Sequence, residues 1–152
     1  MYFRFTTNPT AIINTDRGPI EIELFYDQAP MTVNNFVSLT ENDFYDDRVF
    51  HRVVPNFVIQ DGCPRGDGWG GPGYAIRCEY NRLTYATGMV GMALSGKDTG
   101  GSQYFITLSP QPHLDARYTI FGRVLSGMNY ARQMVRGDRI DSVTIHYNQE
   151  TK

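Results

Sequence analysis

Between Val49 and Asp61 the sequence reads Val-Phe-His-Arg-Val-Val-Pro-Asn-Phe-Val-Ile-Gln-Asp, an apolar run carrying a permanent cation, Arg52, and a neutral amide, Gln60. Arginine cannot shed its charge. Among aromatic and β-branched neighbours its guanidinium either pairs with an acid or offers its N–H groups to an oxygen or nitrogen of a ligand. Asp46 and Asp47 are near enough in sequence to be that acid, and on these residues alone a structural ion pair is the default reading.

Other chemistry-bearing patterns fail on their own terms. Gly91-Met92-Ala93-Leu94-Ser95-Gly96-Lys97 has phosphate-loop spacing, but Asp98 follows where Ser or Thr must reach a magnesium ion. Gly66-Asp67-Gly68-Trp69-Gly70-Gly71 resembles a dinucleotide turn in glycine content only, and Pro72-Gly73 blocks the helix such a turn must open. Ser102, His51 and Asp115 make a nucleophilic triad on paper, without a nucleophile elbow. Cys63 and Cys78 are too few and too far apart for a zinc site, so neither metal nor cofactor is expected, and free thiols are favoured over a disulfide in a reducing compartment.

With 152 residues the chain has the length of one domain able to bury a core without staples. Charged residues make up 20% and the formal net charge is −2, without basic runs or acidic blocks, so no nucleic acid or anionic membrane is expected as a partner. The apolar stretches are strand-sized, and Arg4, Asn8, Pro9 and Asn14 interrupt the start of the chain. The expectation is a soluble protein of open compartment, cytoplasmic if the chain is complete.

The elements that must position Arg52 follow from periodicity. Thr10 to Asn14 and Ile20 to Phe25 flank the turn Thr15-Asp16-Arg17-Gly18-Pro19, with Ile20, Ile22 and Leu24 on one face and Glu21 and Glu23 on the other. Pro30 opens an amphipathic helix over 30–41 carrying Val33, Phe36, Val37 and Thr40. Val49 to Val54 and Phe57 to Gln60 read as strands joined at Pro55-Asn56. Residues 61–73 form a Gly-rich surface loop. Met89 to Leu94, Tyr104 to Leu108 and Tyr118 to Val124 add three strands, Met128 to Val135 a second helix, and Ile140 to Tyr147 a final strand. Short strands at this spacing suggest a barrel or sandwich, and two helices can plug both ends of a small barrel. Ile22, Phe36, Val54, Met92, Ile106 and Ile120 are bulky enough to fill it, which disfavours a small-ligand cavity.

Four blocks in register carry a resemblance: Phe50 to Gln60, Gly68-Trp69-Gly70-Gly71, Gly101-Ser102-Gln103-Tyr104-Phe105-Ile106, and Leu114-Asp115 with Phe121-Gly122-Arg123-Val124. Together they resemble the cyclophilin-type peptidyl-prolyl cis-trans isomerases across nearly the whole chain. The resemblance implies one domain over 1–152, with 1–9 a peripheral extension and 148–152 a tail. Its fold would be mainly β, a closed eight-stranded antiparallel barrel capped by two α-helices. It also shifts Arg52 from structural pair to catalytic residue.

The same resemblance puts the prolyl-pocket aromatics on Phe57 and Phe105, the pocket wall on Leu114, and on Gln60 and Gln103 the glutamines that hold the arginine and the substrate carbonyl. Ala93 with Leu94 would touch substrate backbone, and Gly68 would line the neighbouring pocket. Arg52, Gln60 and Phe105 are the catalytic set, and Phe57, Val58, Gly68, Ala93, Leu94, Gln103, His113, Leu114 and Tyr118 the substrate-binding set. His51 keeps a structural role. Five positions depart from the usual pattern: His113 stands for a tryptophan, Tyr118 for the pocket histidine, Val58 for methionine, and Leu94-Ser95 for Asn-Ala. The loss of an indole at His113 implies weak cyclosporin binding. Partners are expected to be proline-containing peptides or proteins met by a monomer, and the alternative is a non-catalytic proline-peptide docking module of a larger protein.

Overall fold

Alternation makes the first hairpin. β1 (Thr10–Thr15) and β2 (Gly18–Leu24) pair antiparallel with Ala11 opposite Ile22 and Ile13 opposite Ile20, all four buried, while Glu21 and Glu23 stay partly in water. The computed structural model describes residues 4–147. The tail at 148–152 and the first three residues of the 1–9 segment lie outside the described residues; within the rest of that segment, Phe5 packs edge-on against Tyr26, and the Pro9 carbonyl accepts from the Leu24 amide at 2.9 Å.

Helix α1 (Pro30–Glu41) starts at its proline as expected and buries Val33, Phe36, Val37 and Leu39. Its open N-terminal amides at Met31 and Thr32 donate to the Glu79 carboxylate, an acid at the positive end of the helix dipole. α2 (Met128–Gln133) is shorter than the expected 128–135 and buries Ala131.

The expected strand Val49 to Val54 divides into two. β3 (Arg48–Val49) pairs with β9 (Arg139–His146), whereas β4 (Arg52–Val54) pairs with β5 (Val58–Asp61), and Phe50 and His51 turn the corner. The sheet runs β3-β9-β1-β2-β8-β6-β7-β5-β4, completed by β6 (Met89–Met92), β7 (Tyr104–Thr107) and β8 (Ile120–Ser126). Its two edges are thus consecutive segments of one chain, which is how the barrel closes. Counted as one bent strand, β3 and β4 give the eight-stranded antiparallel barrel. Expected strand 118–124 slides to begin at Ile120, leaving Tyr118 on the preceding loop.

Ile22, Phe36, Met92 and Ile106 fill the interior, joined by Tyr45, Phe50, Tyr104 and Phe121. Two of the expected interior positions differ. Val54 is only half-buried, because β4 is an edge strand past the corner. Ile120 belongs to a separate small cluster with Val58, Tyr85, Phe105 and Leu114, outside the main core.

Candidate active site

Cross-strand register builds the site. Arg52 on β4 stands opposite Gln60 on β5, Gln60 opposite Phe105 on β7, and Phe105 opposite Gly91 on β6. Side chains in register share a sheet face, so a cation, an amide, an aromatic ring and a gap lie in one row across four strands. The gap is required. A Cβ on Gly91 would come within 2.5 Å of the Phe105 ring and 2.2 Å of the Tyr85 hydroxyl. Glycine there lets Phe105 lie down against Tyr85, with ring centroids 5.5 Å apart. The Tyr85 hydroxyl in turn donates to the Tyr118 carbonyl at 2.9 Å.

Arg52, Phe57, Val58, Gln60, Ala93, Leu94, Phe105, Leu114 and Tyr118 enclose a pocket of about 180 Å³. That is below the roughly 300 Å³ at which drug-sized sites begin, and suits a guest the size of one side chain. Val58, Phe105 and Leu114 form its buried apolar floor, and the Tyr118 ring meets Phe105 edge-on at 5.9 Å. Arg52 lies exposed at the rim with its guanidinium 5.7 Å from the Phe57 ring centroid. The acids weighed as its partners are engaged elsewhere: Asp47 pairs with Arg139, and Asp46 accepts from the Val143 amide. Among the described residues Arg52 enters no ion pair.

A relay of neutral amides holds the rim. Arg52 donates to Gln60 Oε1 at 3.5 Å, Gln60 Nε2 to Gln103 Oε1 at 2.9 Å, and Gln103 Nε2 to the carbonyls of Gly68 at 2.8 Å and Gly70 at 2.9 Å. Only the NH₂ end of Gln103 can face two carbonyls, which fixes the direction of the whole relay. Gln103, expected to meet a substrate carbonyl, therefore spends both amide protons on the Gly-rich loop. Gly68 and Gln103 line a second pocket of about 340 Å³ that shares Gln60, Ala93 and Leu94 with the first. Exposed Trp69 stands at its edge.

The loop is anchored from below as well. Gly62 leaves β5 at φ +95 with the Ser102 carbonyl where a Cβ would sit, and the Ser102 hydroxyl donates to Gly62 O at 2.6 Å. The Cys63 sulfur accepts the amides of Gly68 at 3.3 Å and Gly70 at 3.2 Å. Burial opposes ionisation of this thiol, but those N–H donors outweigh it and hold its pKa below the ordinary value. Cys63 and Cys78 are both free. His51 is buried behind Gly68 with neither ring nitrogen hydrogen-bonded among the described residues, and burial depresses its pKa. His113 lies outside the first pocket, exposed and stacked on Phe57 at 5.8 Å. No three His, Cys, Asp or Glu side chains among the described residues group to hold a metal ion.

Sequence reading missed Tyr85 and Gly91 as support for the pocket floor. The available signal was a glycine inside a strand, which marks close approach of another group.

Fold and site together define a barrel enzyme with a side-chain-sized apolar pocket and an unneutralised guanidinium at its lip. The family model for cyclophilin-type peptidyl-prolyl cis-trans isomerases matches residues 10–149. Peptidyl-prolyl cis-trans isomerase B of Bacillus subtilis is 51% identical over 132 residues, 86% of this chain and 92% of that protein. The isomerase of Synechococcus elongatus is 48% identical over 137 residues, 89% of this chain and 94% of its own length. Among solved structures, a cyclophilin-type isomerase of Cryptosporidium parvum superposes with a TM-score of 0.87 at 32% identity, covering 93% of this chain and 99% of that one. The chain belongs to the cyclophilin-type peptidyl-prolyl cis-trans isomerase family, whose members interconvert the cis and trans forms of X-Pro bonds. Among the described residues no helix is long and apolar enough to cross a membrane.

Proposed function

We propose that the chain works as a single-domain monomer that accelerates X-Pro rotation in flexible or unfolded polypeptide, with Arg52 stabilising the twisted amide over the apolar pocket. The observation that carries this reading is the Arg52 guanidinium, free of carboxylates at the lip of a pocket floored by Val58, Phe105 and Leu114. A solved structure of the Cryptosporidium parvum enzyme obtained with the dipeptide Ala-Pro, TM-score 0.85 to this chain, supports a proline peptide as the guest.

Amide resonance sets a barrier of about 18–20 kcal/mol to rotation. In the twisted transition state resonance is lost, and the prolyl nitrogen becomes pyramidal and able to accept a hydrogen bond. A guanidinium aimed there binds the transition state more strongly than the planar ground state, which raises rate rather than affinity alone. The floor holds the proline ring while the preceding acyl group turns. Gln60 fixes the guanidinium without neutralising it, and Phe57 supplies a ring face against which the cation rests. Ala93 and Leu94 border both pockets, where a peptide backbone would pass from one to the other.

One charge-assisted hydrogen bond is worth about 1.5–3 kcal/mol, so Arg52→Ala is expected to lower kcat/KM by about one to two decades. The test is a protease-coupled assay on a short Xaa-Pro peptide, with circular dichroism to verify the fold, since Arg52 is exposed and contributes little packing. Full retained activity in the variant would overturn its role. Cyclosporin-type inhibitors should bind weakly, because His113 offers no indole N–H at the pocket edge; nanomolar inhibition would contradict that.

A further inference from the structure

The proline pocket has two unlike neighbours. One is the pocket bounded by Gly68 and Gln103, whose lining contains no charged side chain. The other is an open groove of about 600 Å³ that shares Leu94, Leu114 and Tyr118 with the proline pocket, meets the first neighbour at Leu94 and Ser95, and adds His113, Lys97 and Arg117. Its lining holds two cations and no carboxylate. Neither Lys97 nor Arg117 enters an ion pair among the described residues. The acids next to them in sequence are turned away: Asp98 Oδ1 accepts from the Cys78 amide at 2.9 Å and Asp115 Oδ1 from the Tyr85 amide at 2.7 Å. In a chain of net charge −2, this local excess of positive charge is not a property of the whole surface.

A peptide with its proline seated in the pocket must run on across the surface around it, and the groove is the positively charged part of that surface. We propose that the groove selects substrates carrying an acidic side chain on one side of the X-Pro bond, with Lys97 and Arg117 as the specificity-determining residues; this rests on the proline seat described above. The pocket at Gly68 and Gln103 carries no charge and gives no such selection, so the preference is confined to the side of the bond whose residues cross the groove. Electrostatic contacts this exposed are worth roughly a two- to fivefold gain per cation, and they fade as ionic strength shortens the Debye length below about 10 Å.

The experiment is exchange NMR on a peptide series containing one X-Pro bond, with Glu or Gln placed in turn at each of three positions before and after the bond, using wild type and a Lys97→Glu, Arg117→Glu double variant. Wild-type turnover of the all-Gln peptide tests the isomerase reading by itself. For the groove, the expected result is a Glu-over-Gln ratio of kcat/KM of roughly three- to tenfold on one side of the proline, shrinking with salt and reversing in the double variant. Equal ratios on both sides, a ratio of one throughout, or a preference that survives the charge reversal would each overturn the proposal while leaving the isomerase reading intact.

Discussion

Asp61 closes β5 immediately after Gln60, fully buried, with one carboxylate oxygen accepting from the Tyr104 hydroxyl at 2.6 Å and the other without a hydrogen-bond partner among the described residues. Burial pushes its pKa from the ordinary 3.8 up to about 7, against the pull of the Tyr104 hydroxyl. The folded state therefore holds this proton more tightly than the unfolded chain. The stabilisation is complete below about pH 4 and is lost as pH rises to about 7, a span worth about 4 kcal/mol.

Asp61→Asn removes the titration and nearly keeps the shape. Its NH₂ group occupies the place of the unpartnered oxygen, at a roughly constant cost of about 1–3 kcal/mol. Urea unfolding of both proteins at about pH 5 and about pH 8 should show the difference in stability moving by about 3 kcal/mol in favour of the variant. Other titrating groups are common to both proteins and cancel in the difference. A difference that stays constant with pH to within about half a kcal/mol would refute the assigned ionisation.

Gln103→Leu cuts the relay to the Gly-rich loop, and the loss of two neutral hydrogen bonds of about 1 kcal/mol each should speed hydrogen exchange at the Gly68 and Gly70 amides about tenfold or more. Unchanged exchange would mean that Cys63 alone holds the loop. Gly91→Ala drives a methyl into Phe105 and Tyr85, costing about 1–3 kcal/mol of stability with a parallel loss of kcat/KM; normal activity at an unchanged Tm would separate the pocket floor from this contact. His113→Trp should tighten cyclosporin binding in a fluorescence titration, and an unchanged affinity would remove the indole explanation.

Periodic elements were legible because burial is periodic in them: the β1–β2 hairpin and α1 lie where alternation and three-to-four spacing put them. The corner at Phe50-His51 was not, since an unbroken apolar run carries no mark of where pairing changes partner. The default reading of Arg52 as half of an ion pair failed for a similar reason. Sequence proximity to Asp46 and Asp47 says nothing of direction, and the corner sends those acids toward β9 while Arg52 turns to β5. The resemblance gathered the pocket residues, but Gln103's bond to the loop and Tyr85's support of Phe105 depend on chain segments that meet only in the folded barrel.

The pairing of β1 with β9 sets a schedule for the protein's own maturation. Thr10 sits opposite His146, so β1 stays without one of its two neighbours until β9 has followed it off the ribosome. Such non-local pairing delays cooperative closure and leaves a strand edge exposed meanwhile. An isomerase of X-Pro bonds must itself wait for β9 before its barrel can close.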